Sequence, residues 1–288
     1  MRARVLLAFF VASLVAAGCA ANGDTPPPSD AGPRVDGGGT DSGRADGAVA
    51  RDDSGTTCPA GCRRICEGGL CDCSCEDAGT AAAVVIDGTL GAEEWAGAAS
   101  ATNTVASSWG ANTLARVVAR ADAARLYVGV EGQVEAMNAI VMYVDGALGA
   151  GTGIADLATL TDADGELDNA ISAGIAVSVP GFGADLAWGT RDMARAASGF
   201  DGRMGWRNIV TMPGDFAWIS ADDGPAACSA TACETSIPLA MLAGGGSRTI
   251  ALFVRIVNGD GFSISNQCLP EDDETQPQTV SVLLELAL

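Results

Sequence analysis

The sequence predicts an all-β protein, an antiparallel β-sandwich, and two observations carry that expectation. The first is a run of three short strand-like segments between Leu114 and Asp145. The second is a series of further short apolar runs, spaced regularly and joined by Gly and Pro, which is the pattern of stacked sheets.

In the first segment Ala115, Val117, Ala119 and Ala121 share one face while Arg116, Arg120 and Asp122 fall on or near the other, the period of two expected of a half-buried strand. The second, Leu126 to Glu131, sets Leu126, Val128 and Val130 against Tyr127, Gly129 and Glu131. Ala139 to Val144 is apolar throughout, as a strand covered on both faces would be. Together the three suggest an antiparallel meander. Further strands are expected at 175–179, 185–189, 208–212, 216–220, 249–257 and 280–288, and short helical turns at 155–157 and 167–172 inside a long connection.

Composition narrows the chemistry. The chain has 288 residues and a formal charge of -20, and all 16 basic residues are arginines, with no lysine and no histidine. A Ser-His-Asp or Cys-His relay, histidine-bound zinc, a lysine Schiff base and a complete phosphate-binding P-loop are therefore excluded. An acidic chain with dispersed arginines has no basic stripe for nucleic acid.

The N-terminus reads as an address. Arg2 and Arg4 precede an apolar run from Val5 to Ala17, too short for a permanent bilayer span. The segment Leu14-Val15-Ala16-Ala17-Gly18-Cys19 resembles the lipobox of bacterial lipoproteins, which implies cleavage after residue 18 and acylation of Cys19. Ala20 is not an inner-membrane retention signal in that resemblance, so the outer membrane or cell surface is expected. Loss of residues 1–18 removes two arginines and no acids, leaving 14 minus 36, or -22. So acidic a chain is not drawn to anionic headgroups, and its membrane contact falls to the acyl chains.

Residues 19–57 are the lipidated cysteine and a Gly, Asp, Pro and Ser tether with little to bury. At about 5–6 Å times the square root of length, its reach is roughly 35 Å. Six cysteines follow within 58–77: Cys58, Cys62, Cys66, Cys71, Cys73 and Cys75. In an exported chain this density predicts a disulfide microdomain, with metal binding as the competing reading. Two-residue spacing places Cys71, Cys73 and Cys75 near the limit for bridging one another, so each is expected to pair back to one of the first three. Cys228 and Cys233 are expected to clip one loop, leaving Cys268 free or intermolecular.

Residues 83–288 form the main domain. Val84-Val85-Ile86-Asp87-Gly88-Thr89-Leu90 followed by Glu93-Glu94-Trp95 is similar to the opening of family 9 carbohydrate-binding modules and their DOMON-like relatives. Glu234-Thr235-Ser236-Ile237-Pro238-Leu239-Ala240-Met241-Leu242 resembles the segment that leads a sandwich strand of that family into a helical turn. Ser265-Asn266-Gln267-Cys268-Leu269-Pro270 is similar to the ending of the glucodextranase-like branch. The resemblance implies a jelly-roll or DOMON-like sandwich that binds carbohydrate without catalysing a reaction. Haem, which some DOMON relatives bind, is set aside because no histidine is present to ligate it.

Glycan recognition stacks a sugar on an exposed aromatic ring, and of the five tryptophans Trp109 and Trp206, in small or polar settings, are the expected platforms. Trp95 is expected in the core. Asp162, Asp164 and Asp168 surround a glycine turn and offer calcium three carboxylates, though the spacing is not that of an EF-hand and a solvated acidic turn is the competing reading. Glu131 and Glu135 on one continuous strand would stand roughly 13 Å apart, too far for a glycosidase pair. The expected function is a surface-tethered polysaccharide-binding lipoprotein, with a scaffold or protein-interaction lipoprotein as the alternative.

Overall fold

The computed structural model describes residues 63–67, 70–74, 82–161, 167–193, 204–210, 216–273 and 275–288, the first two segments as backbone alone. The expectations for the signal peptide, Cys19, the tether, Cys58, Cys62, Cys75, Asp162 and Asp164 fall outside the described residues.

The strands follow in chain order. β1 (Arg63–Glu67) and β2 (Leu70–Ser74) form an antiparallel hairpin whose backbone register sets Cys66 opposite Cys71. Next come β3 (Ala99–Thr102), β4 (Thr113–Ala121), β5 (Arg125–Gln133) and β6 (Asn138–Asp145). A 3-10 turn (Leu157–Thr159) and a short helix α1 (Leu167–Ile171) precede β7 (Ala176–Val177), β8 (Leu186–Arg191), β9 (Met204–Asn208) and β10 (Ala217–Trp218). β11 (Ala226–Cys228) and β12 (Ala232–Pro238) lead through a second 3-10 turn (Leu239–Met241) into β13 (Thr249–Asn258). β14 (Ile264–Leu269), β15 (Thr279–Val280) and β16 (Leu284–Ala287) complete the chain.

Two antiparallel sheets result. The smaller has the order β11-β12-β5-β4-β3; the larger has β10-β9-β8-β6-β13-β14, with β16 also paired to β13. Their facing sides share one core, in which Val117, Leu126 and Val128 of the smaller sheet join Ile140, Met142, Trp188, Trp206, Leu252 and Val254 of the larger. A second apolar layer covers the other face of the larger sheet: Val141, Tyr143 and Phe253 lie under Leu157, Leu167, Ile171 and Phe182. This is the antiparallel sandwich that the strand pattern predicts.

Its connectivity corrects the meander. β4 and β5 pair with each other, but β6 belongs to the opposite sheet between β8 and β13. Burial explains the difference. A strand apolar at every position needs cover on both faces, and β6, buried at every residue after Asn138, finds it in the middle of the larger sheet. A second correction concerns β4, where the register shifts between Leu114 and Arg116. The extra residue of this bulge turns Ala115 outward and sends Leu114 into the core. The alternation of β5 is as read: Leu126, Val128 and Val130 are buried in the core.

Other boundaries move for local reasons. The expected strand at 208–212 lies earlier, as β9, and ends where the Asn208 side chain accepts the amide of Val210. The strand at 280–288 breaks into β15 and β16 because Asp272 accepts both the amide and the hydroxyl of Ser281. The strand at 175–179 shrinks to β7, which pairs in parallel with β15 and joins neither large sheet.

Candidate ligand-binding cleft

The loop between β3 and β4 carries Trp109, and the segment at 265–271 pins that loop. The Asn266 amide oxygen accepts the backbone and hydroxyl of Ser108 at 2.9 and 3.0 Å, while its nitrogen donates to the carbonyl of Ala106. Gln267 donates to the carbonyl of Val105 at 3.0 Å and accepts the amide of Leu114 at 3.0 Å. Glu271 accepts the amide and hydroxyl of Thr104, and these bonds hold its carboxyl below the usual range. With its backbone fixed this way, the Trp109 side chain packs against the core and stays partly open to solvent.

Beside it opens a cleft of about 510 Å³ lined by Trp109, Asn112, Glu135, Asn138, Asn258 and Ser263. Asn112, itself buried, organises the floor. Its amide nitrogen donates to the carbonyl of Trp109 at 2.7 Å and to Glu135 Oε2 at 3.1 Å. Its oxygen accepts from the Glu135 amide and from Asn138 Nδ2, both at 2.9 Å. The far wall is the β13–β14 turn, where Asn258 Oδ1 accepts the Ser263 amide and the Gly259 amide donates to the carbonyl of Met137.

Two large apolar side chains stand exposed on the segments that form this end of the sandwich. Phe262, next to Ser263, is 90% exposed, and Met137, next to Asn138, is 64% exposed. Met137 also holds φ at 79°, a left-handed value that a long side chain adopts at a cost. Exposed apolar side chains gathered at a polar cleft mark a contact surface. In the sequence, Phe262 is an aromatic residue set in a glycine-rich turn, Asn258-Gly259-Asp260-Gly261-Phe262.

The other expected site residues lie elsewhere. Trp206 is fully buried in the core with its indole donating to Thr235 Oγ1 at 2.6 Å, so it offers no ring face to solvent and is not a sugar platform. Its small, polar chain neighbours describe the strand and not the facing sheet. Trp95 is also buried, as expected. Trp218 is the more accessible ring, 49% exposed, with the Arg207 guanidinium carbon 3.0 Å from its centroid. Asp168 is buried on α1 and accepts from Arg207 Nε at 2.6 Å. Among the described residues no cluster of three or more acidic or cysteine side chains is placed to hold a metal. Glu131 is held by the Arg116 guanidinium, at 2.8 and 3.0 Å, across β4 and β5.

The cysteines of the sandwich follow the reading of the sequence. Cys228 and Cys233 form a disulfide between directly opposed residues of β11 and β12. Cys268 is free and buried, and burial pushes its thiol up to about 12. Two more clefts exist, one of about 440 Å³ beside Thr89, Glu131, Gln133 and Thr231, the other of about 590 Å³ beside Gly244, Gly245 and Arg248. Neither is lined by an aromatic ring.

Fold and cleft together define a β-sandwich with a polar, aromatic-edged pocket at one loop end. No protein-family model matches this chain, and no curated protein matches it either. Among the described residues no helix is long and apolar enough to cross a membrane.

Proposed function

We propose that this chain is a non-catalytic, exported lipoprotein, lipidated at Cys19, whose sandwich binds glycan in the cleft beside Trp109. One observation carries the reading: a partly buried indole lines a cleft with open hydrogen-bonding groups on a floor organised by Asn112. A ring face and several convergent polar atoms are what a sugar needs for stacking and for its hydroxyls. The signal segment and lipobox-like ending support an anchored, outward placement, and the opening resemblance to carbohydrate-binding modules points the same way.

Screening the mature protein on a glycan array, followed by calorimetry of the best ligand, tests this. Trp109→Ala is expected to weaken binding about ten-fold or more, since a stacked ring contributes on the order of 1 kcal/mol beyond the area it buries. Absence of binding to every glycan class, or binding indifferent to Trp109→Ala, would contradict it. The alternative, a lipoprotein that docks a protein partner, draws support from Phe262 and Met137, whose exposure suits a protein interface as well.

A further inference from the structure

The Trp109 cleft adjoins a second one. Asn112, which lines the first, is followed directly by Thr113, which lines the cleft of about 440 Å³ on the outer face of the smaller sheet. On the next strand, Gln133 lines that second cleft and Glu135, two residues on, lines the first. Thr113 pairs with Gln133 where β4 meets the end of β5, and just beyond them Asn112 is bonded to both the amide and the carboxylate of Glu135. The two clefts therefore share a wall at this strand end. Thr113, Gln133 and Glu135 are all exposed on it, so a ligand crossing from one cleft to the other meets solvent-facing side chains.

The second cleft suits uncharged hydroxyl groups. Its one carboxylate, Glu131, is balanced and oriented by the Arg116 guanidinium at 2.8 and 3.0 Å. The side chains of Thr89, Thr113, Gln133 and Thr231 make no hydrogen bond among the described residues, and the Thr89 backbone is held in place by Glu234 Oε2 at 3.2 Å. Hydroxyl and amide groups both donate and accept, as sugar hydroxyls do. The Trp109 cleft offers the same mixture, with Asn258 Nδ2 and the Ser263 hydroxyl open as donors and the Asn138 oxygen as acceptor. Adjoining clefts that ask for the same chemistry fit a ligand that repeats. Resting on the glycan reading above, we infer that the ligand is a neutral polysaccharide chain laid across the shared wall, with one sugar at Trp109 and a later one hydrogen-bonded at Gln133 and Thr231. A cleft without a ring binds weakly by itself and contributes through linkage, because the first contact makes the second intramolecular.

Ligand length tests this. Calorimetry of the mature protein would compare β-1,4-linked oligomers of glucose and of N-acetylglucosamine, each two and six units long, well below the melting temperature. In the series that binds, the six-unit oligomer is expected to bind about ten-fold or more tighter than the two-unit one, about 1.4 kcal/mol or more. The double variant Gln133→Ala, Thr231→Val alters two exposed side chains that carry no bond, so its melting should be unchanged. It should bring the long oligomer down to the affinity of the short one and leave the short one as in wild type, while Trp109→Ala weakens both lengths. A length gain that survives in the double variant belongs to repeated chances at one cleft and overturns the shared groove. Equal affinity at both lengths, still sensitive to Trp109→Ala, also overturns the groove and leaves the glycan reading standing. Failure of both series at every length overturns the neutral chain, and the glycan array with Trp109→Ala decides the glycan reading separately.

Discussion

Glu234 accepts the indole N–H of Trp95 at 3.0 Å, and this bond joins two segments 139 residues apart. The other oxygen of the same carboxylate accepts the backbone amides of Asp87, Gly88 and Thr89 at 3.1, 2.9 and 3.2 Å. The loop can wrap the carboxylate because Gly88 holds φ at +84°, where a Cβ would stand 2.8 Å from the backbone of Cys228. Glu234 is fully buried on the outer face of the smaller sheet, so each of its bonds replaces lost hydration.

Removing that carboxylate strands four donors. Glu234→Ala is expected to cost about 3 kcal/mol or more, because each buried donor left unsatisfied costs about 1–3 kcal/mol. Trp95→Phe removes one bond to a charged group and should cost about 1.5–3 kcal/mol. Urea denaturation of the single and double variants measures both, with a non-additive double variant expected for partners in contact. A loss under about 1 kcal/mol in Glu234→Ala would contradict the latch.

Trp109 and Trp206 should differ in the size of their effect on stability. Trp206→Ala opens a cavity between the sheets and abandons Thr235, a change of about 3–5 kcal/mol. Trp109→Ala removes a ring that is only partly buried and should cost about 2 kcal/mol on area alone. Melting curves read the first effect and ligand titration the second.

The strands were legible and the site was only partly so, for one physical reason. Alternation along a strand reports which residues share a face, so Leu126, Val128 and Val130 were readable as core. It does not report which sheet the next strand joins, so the jump from β5 to β6 was not. Trp109 and Trp206 have similar small or polar neighbours in sequence, but the facing sheet encloses Trp206. Asn112, Glu135, Asn138, Asn258 and Ser263 come from three separate segments and meet only when the sandwich closes.

Cys268 should behave as an inert thiol. Burial raises it to about 12, so almost none is thiolate at neutral pH, and it is buried in the native state. Mass spectrometry after alkylation should find Cys268 unmodified in the folded protein and fully modified in denaturant. Rapid labelling under native conditions would contradict its placement between β14 and its cover.

Asp272 ties stability to pH. Burial pushes its carboxyl up, but hydrogen bonds from Ser281, the Asp273 amide and the nearby charge of Arg255 outweigh that and leave it below 3.8. Its contribution is therefore present above 3.8 and lost as pH falls through the lower folded value. Asp145 and Asp185 run the opposite way, raised chiefly by burial, so their ionisation works against the fold as pH climbs through their folded values. The melting temperature of Asp272→Asn should lie below wild type at neutral pH, and the gap should narrow on acidification below 3.8. A gap independent of pH would contradict the charge and hydrogen-bond account of Asp272.

Mapping ligand-induced amide shifts by NMR on the folded protein addresses the cleft most directly. Saturation with a bound oligosaccharide is predicted to move Trp109, including its indole N–H, together with Asn112, Glu135, Asn138, Asn258 and Ser263. Shifts centred instead on Thr89, Gln133 and Thr231, or no shifts at either cleft, would contradict the placement of the ligand at Trp109.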